Sequence, residues 1–177
     1  MQLETDRMIF RAFAADDWRD LRLIQGNAQA TDTLSADGKP FAEDKSREAA
    51  RRWAAHWDVH GFGLWHITDK ASGGFCAYAG LRLELFYGLP IVEMAYAVVP
   101  AFWRQGRGHE FARVCVDDVF ERTGLSDAWC FTLARNIASQ KVMQGAGFVF
   151  SHDGDHVGLP HRFYHMTRAQ WVASKAD

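Results

Sequence analysis

The chain has 177 residues, 48% apolar and 24% charged, with a formal net charge of −2. That is enough apolar chain for one domain with a sizeable core, and it lacks the basic excess of a general nucleic-acid binder. Cys76, Cys115 and Cys130 share no C-x-x-C spacing and each sits in an apolar run, so reduced core thiols are expected. With no leader-like segment and no apolar run of bilayer length, a cytoplasmic protein is expected.

The first strand is expected over 7–13, with Met8 and Phe10 on one face. Asp16 and Asp17 then cap a helix to about Gln25, which Gly26 and Asn27 end. Residues 28–42 are polar and read as a long loop, of the kind that tends to be functional or mobile. Ala49, Ala50, Trp53, Ala54 and Trp57 recur at helical spacing, which predicts an amphipathic helix over 43–60 with its Trp stripe in the core. Strands over 62–68 and 75–85 flank a hairpin signal at 69–74. A turn at 87–90 leads into a fourth strand, 91–99. A helix follows to about Thr123, then a fifth strand over 127–133 and a short helix over 136–146. A sixth strand starts at Phe148, a His-, Asp- and Gly-rich loop covers 151–160, and a last strand (161–166) and helix (167–173) close the chain. The class is mixed α+β around one central sheet.

Between the fourth strand and its helix lies Pro100-Ala101-Phe102-Trp103-Arg104-Gln105-Gly106-Arg107-Gly108-His109. A strand, a glycine turn and a helix start gather unpaired amides at the positive end of a helix dipole, a place suited to phosphate. Arg104 and Arg107 flank it, as phosphate contacts or as solvated loop residues. A lone G-x-G is weak evidence, because such glycines more often serve only the turn.

Several stretches together resemble the GNAT N-acetyltransferases, and in particular the branch of the ribosomal-protein alanine N-acetyltransferases. They are the opening Glu4-Thr5-Asp6-Arg7-Met8-Ile9-Phe10-Arg11, the hairpin pieces Gly61-Phe62-Gly63-Leu64-Trp65 and Gly74 to Leu81, and Glu93 to Gly108. Asn136-Ile137-Ala138-Ser139-Gln140-Lys141-Val142-Met143 with Gly147-Phe148, and the closing Tyr164 to Trp171, complete the set. They span nearly the whole chain in family order. The resemblance implies a single acetyltransferase domain over 1–177, with a mixed sheet of about seven strands splayed between the fourth and fifth. It implies acetyl-CoA as cosubstrate, and no metal.

Carried over, the amides of Gln105, Gly106, Arg107, Gly108 and His109 would hold the pyrophosphate, with Arg104 and Arg107 as outer contacts. The pantetheine arm would lie between 97–99 and 131–133, with a backbone N–H near Val98 and Val99 facing the thioester oxygen. Asn136 would bond the pantetheine or hold the end of the fifth strand, or else simply cap the next helix. Glu93, an unusual residue inside a strand, would take the amine proton directly or through water, unless it is simply an edge glutamate. The family's acid tyrosine corresponds to Met143, which cannot donate a proton, so Ser139 one turn earlier is the candidate, with cofactor or backbone bonding as its other use. His152, His156, His161 and His165 lack tight metal-ligand spacing, and His156 or His161 lining an acceptor pocket fits better. The implied activity is acetyl transfer to a primary amine, on a protein N-terminus or a small molecule, with relatives often homodimeric. The other readings are a coenzyme-A-binding module without turnover and, more weakly, a nucleotide-phosphate binder.

Overall fold

A computed structural model of the chain describes residues 1–175. Its strands are β1 (Gln2–Glu4), β2 (Met8–Ala12), β3 (Leu64–Asp69), β4 (Phe75–Phe86), β5 (Leu89–Val98), β6 (Asp127–Leu133), β7 (Val149–His156) and β8 (Leu159–Thr167). The helices are α1 (Trp18–Gln25), α2 (Ala28–Thr31), α3 (Glu43–His60), α4 (Arg107–Arg122), α5 (Ile137–Gly145) and α6 (Arg168–Ala173). The strands form one mixed sheet in the order β1-β2-β3-β4-β5-β6-β8-β7. The expected fourth and fifth strands are therefore β5 and β6, one number higher because the three-residue β1 precedes them.

The described residues divide into two compact units, one of 1–80 with 96–107, the other of 81–95 with 108 onward. In the first, β1, β2, β3 and β4 pair antiparallel in succession. Their inner face buries Met8, Phe10, Phe13 and Ile67 with Leu21 and Ile24 of α1 and Trp53 of α3. Each such side chain contributes about 1.5–3 kcal/mol by leaving water. Trp53 lies 5.0 Å from Phe13 and 4.7 Å from Tyr78, ring to ring, as a core stripe should. The Asp17 side chain does not cap α1. It accepts from the Ala14 amide at 2.7 Å and from both terminal nitrogens of Arg11 at 2.6 and 2.7 Å. The polar segment after Gly26 is not all loop, since Asn27 caps the four-residue α2 by accepting from Gln29 and Ala30.

In the second unit β6 pairs antiparallel with β8 along its whole length, Asp127 with Thr167 through Leu133 with His161. Phe120 of α4 stacks on Trp171 of α6 at 5.4 Å, and that indole donates to Asp117 at 2.8 Å. Residues 151–160, expected as a loop, are hairpin: β7 runs to His156, β8 starts at Leu159, and Val157 (φ 48°) with Gly158 (φ 76°) makes a two-residue turn. Positive φ at both turn positions suits the twist of a tight hairpin.

Candidate active site

The glycine turn sits at the end of the first unit's residues and is braced on several sides. β5 ends at Val98, a 3-10 turn covers Pro100–Phe102, and α4 begins at Arg107. The Val99 amide donates to the Cys76 carbonyl at 2.8 Å, so it is occupied and cannot serve as a cofactor donor. The Trp103 indole donates to the Val98 carbonyl at 2.8 Å. Arg7 donates to the Gln105 carbonyl at 2.8 Å, and the Gln105 side chain to Ala101 at 3.0 Å. Arg104 (φ 59°) and Gly106 (φ 75°) take left-handed backbone that turns the chain sharply. Arg104, Gln105, Gly106 and His109 are all exposed. The opening amides of α4 have no partner within a helix.

Arg107 departs from the expectation of an outer phosphate contact. It is 8% exposed, and its Nη2 donates to Asp69 Oδ1 at 2.6 Å. Its guanidinium also lies 5.1 Å over the Phe102 ring. Burial pushes the Asp69 carboxyl up, but the Ser72 hydroxyl and amide and the Arg107 and Arg7 cations outweigh it and hold the group below its ordinary value. Arg107 thus ties the helix start to the β3–β4 turn.

In the second unit, Gly108 and Gly145 have a packing role that local pattern does not reveal. A Cβ on Gly108 would meet Val142 Cγ2 of α5 at 2.8 Å, and one on Gly145 would meet His109 Nδ1 at 2.4 Å. These two glycines let α4 and α5 approach closely. The Asn136 side chain accepts from the Ser139 amide at 3.2 Å, the capping contact, and Ser139 is half-buried on the first turn of α5. Met143 is buried in the core at 3% exposure. β5 and β6 run parallel with a single registered pair, Glu93 with Trp129, a ladder far shorter than that of β6 with β8. Glu93 is 8% exposed, and its Oε2 accepts from Arg82 Nε at 3.0 Å and Nη2 at 2.8 Å.

One face of β4, β6, β7 and β8 in this unit carries rings in mutual contact: Phe86 to Phe131 at 5.3 Å, Phe131 to Phe163 at 5.3 Å, and His156 to His161 at 5.3 Å. Burial, then the nearby His161, pushes the His156 imidazole below its ordinary value. The four histidines of this region do not converge. His152 stacks on Phe163 at 4.7 Å, and His165 bonds Asp127 at 2.8 Å. Among the described residues, the ligand-type side chains that do converge are Asp17, Asp20 and His66, where Arg11 already holds Asp17.

A family model described as an acetyltransferase (GNAT) domain matches residues 7–149. The FsC-acetyl coenzyme A-N(2)-transacetylase of Aspergillus fumigatus is 30% identical over 155 residues, which is 78% of this chain and 65% of that protein. The chain spans 65% and 64% of the length of the curated relatives it matches. Among solved structures, the fold is shared with the aminoglycoside acetyltransferase AAC(6')-Ib in complex with paromomycin and acetyl-CoA (TM-score 0.79, 12% identity, 97% of this chain and 99% of that one). It is shared too with RimL, a ribosomal L7/L12 alpha-N-protein acetyltransferase in complex with coenzyme A (TM-score 0.75, 11% identity, 94% and 98%). No described helix is long and apolar enough to cross a membrane.

Proposed function

The chain belongs to the acetyltransferase (GNAT) family, and on that premise we propose that it is an acetyl-CoA-dependent N-acetyltransferase, working as one acetyltransferase domain on a primary amine. The observation that carries this reading is the exposed glycine turn at the head of α4, anchored by Arg7 and Arg107 yet open around Gly106. A diphosphate suits it, because oriented amides and a helix dipole need no rearrangement to meet the charge. The amides of Gln105 to His109 take that role, Arg104 supplies the solvent-side cation, and Arg107 holds the turn in shape. Val98 offers its N–H to the thioester oxygen, where negative charge develops during attack. Asn136 and Ser139 face the pantetheine arm, with Ser139 the donor to the departing thiolate because Met143 has no proton to give.

Glu93 enters as an anchor and not as the base. A carboxylate that holds two of the three guanidinium nitrogens of Arg82 would surrender that ion pair on taking a proton. The acceptors in the relatives' names, an N(2) amine, an aminoglycoside and a protein N-terminus, support an amine without choosing one.

The test is thiol release from acetyl-CoA over a panel of amines, with coenzyme binding followed by thermal shift. Amine-dependent release supports the enzyme. Saturable binding with no release on any amine supports instead a coenzyme-A-binding sensor.

A further inference from the structure

Trp103 stands at the head of the glycine turn with 42% of its surface exposed, while its neighbour Phe102 is half-buried under the Arg107 guanidinium. The 3-10 turn folds the chain back over the end of β5. The Phe102 amide donates to the Val99 carbonyl at 2.9 Å, and the Trp103 amide to Pro100 at 3.1 Å. This brings the indole back by five residues, and its Nε1–H donates to the Val98 carbonyl at 2.8 Å. That N–H is the ring's one polar group. It is spent on the strand, and among the described residues no second ring or cation stacks on the indole.

The same bond fixes the edge of β5 on which the indole lies. In an extended strand the N–H and C=O of one residue point to one edge, and those of the next residue to the other. The Val99 amide is committed to the Cys76 carbonyl of β4 at 2.8 Å. Val98 therefore turns its N–H and C=O to the edge away from β4, and Trp103 takes the C=O there. The peptide joining Val98 to Val99 is held at both ends, its oxygen by the indole and its N–H by Cys76. Val98 keeps little backbone freedom, and its own N–H is aimed along the edge that the indole occupies.

We propose that Trp103 is a coenzyme-binding residue: its exposed indole face carries the pantetheine arm of acetyl-CoA, and its bond to Val98 aligns the amide that meets the thioester oxygen. The inference rests on the N-acetyltransferase reading and adds a side chain to a grip so far made of backbone. The arm is an uncharged chain of methylenes and amides. A flat apolar ring beside a peptide edge shields the methylenes, while the edge meets the polar groups. A carbonyl oxygen has two lone pairs, so that of Val98 can hold the indole and still accept from the arm. Alignment counts most as negative charge develops, because an oxyanion donor off its line is worth little. Trp103 also joins the two ends of the ligand's seat, since it adjoins Arg104 in the diphosphate turn and bonds Val98 at the thioester end.

Trp103→Phe keeps a ring and deletes the N–H. With the amine that the panel identifies as acceptor, it should lower kcat about 10-fold and leave the KM for acetyl-CoA within about twofold. Trp103→Leu deletes the flat face as well. It should raise KM about 10-fold, equally for acetyl-CoA and for acetyl-pantetheine, which has no diphosphate. A purely structural tryptophan would instead loosen the diphosphate turn and spare acetyl-pantetheine. In the wild-type protein, the Trp103 indole N–H resonance should shift on saturation with coenzyme A and exchange more slowly with solvent, a readout that needs no variant to fold and no acceptor. An unchanged kcat in Trp103→Phe, a KM loss confined to acetyl-CoA in Trp103→Leu, or an indole N–H that bound coenzyme A leaves unmoved or frees to exchange faster overturns the proposal. Failure to release thiol with any amine overturns the N-acetyltransferase reading instead, and the indole resonance then still decides whether Trp103 meets the coenzyme. A protein that binds no coenzyme A overturns both.

Discussion

Replacing Asp69 by Asn takes away the charge that faces Arg107 while keeping the side chain's size. Asp69 Oδ2 accepts from the Ser72 amide at 2.9 Å and hydroxyl at 2.8 Å, and Oδ1 accepts from Arg107. An asparagine has one acceptor oxygen, so either Ser72 or Arg107 must then face an NH2 group. With both partners of the pair under a tenth exposed, a stranded guanidinium costs about 3–5 kcal/mol. For a chain of this size, that is a fall in Tm of roughly 6–20 °C. Arg107→Met should cost less, because Asp69 keeps its two Ser72 donors, whereas among the described residues the hydrogen-bond partner of the Arg107 side chain is Asp69. Urea unfolding of both single variants and the double variant measures this. The double variant should lose clearly less than the sum of the singles. An unchanged midpoint in Asp69→Asn, or a larger loss in Arg107→Met, would refute the bracing role.

Gly108→Ala should destabilise by about 1–3 kcal/mol through overpacking against Val142, and Val142→Ala in the same chain should recover most of the loss; denaturant midpoints decide it. Asn136→Ala should cost about 1 kcal/mol as a lost cap, and a raised KM for acetyl-CoA in the same variant would mark the pantetheine contact as well. Acid should weaken the fold in two stages. Burial holds the His66 imidazole below its ordinary 6.5, so the unfolded chain takes up a proton first and stability falls as pH drops below that value. Asp17 and Asp69, held below their ordinary 3.8, lose their contribution only as pH falls past it. Stability that stays level from about pH 7 to about pH 5 would contradict the first stage.

What the sequence disclosed follows the range of the interaction responsible. The turn at 100–109 was legible because its proline, glycines and flanking periodicities are neighbours in the chain. The three-residue β1 carries too few positions for an alternation to register, so seven strands were expected where the described residues form eight. The β7–β8 hairpin was hidden by its turn, since Val157 at φ 48° stands where Asn, Asp or Gly is normally found. Arg107 looked like a phosphate ligand because its partner, Asp69, is 38 positions away. Gly108 read as a turn glycine whose amide meets phosphate, and its packing role was hidden for the same reason, with Val142 on another helix. His161 could be suspected from a His-rich stretch, but its bond to the Leu159 carbonyl and its packing on Phe131 and His156 are properties of the folded hairpin.

The central claim is that the head of α4 grips the diphosphate of acetyl-CoA. The most direct measurement is the backbone amide spectrum of the protein titrated with coenzyme A. Saturable shifts largest at Gly106, Gly108 and His109 are predicted. A folded protein whose amides at these positions stay unmoved at saturating coenzyme A would contradict the account.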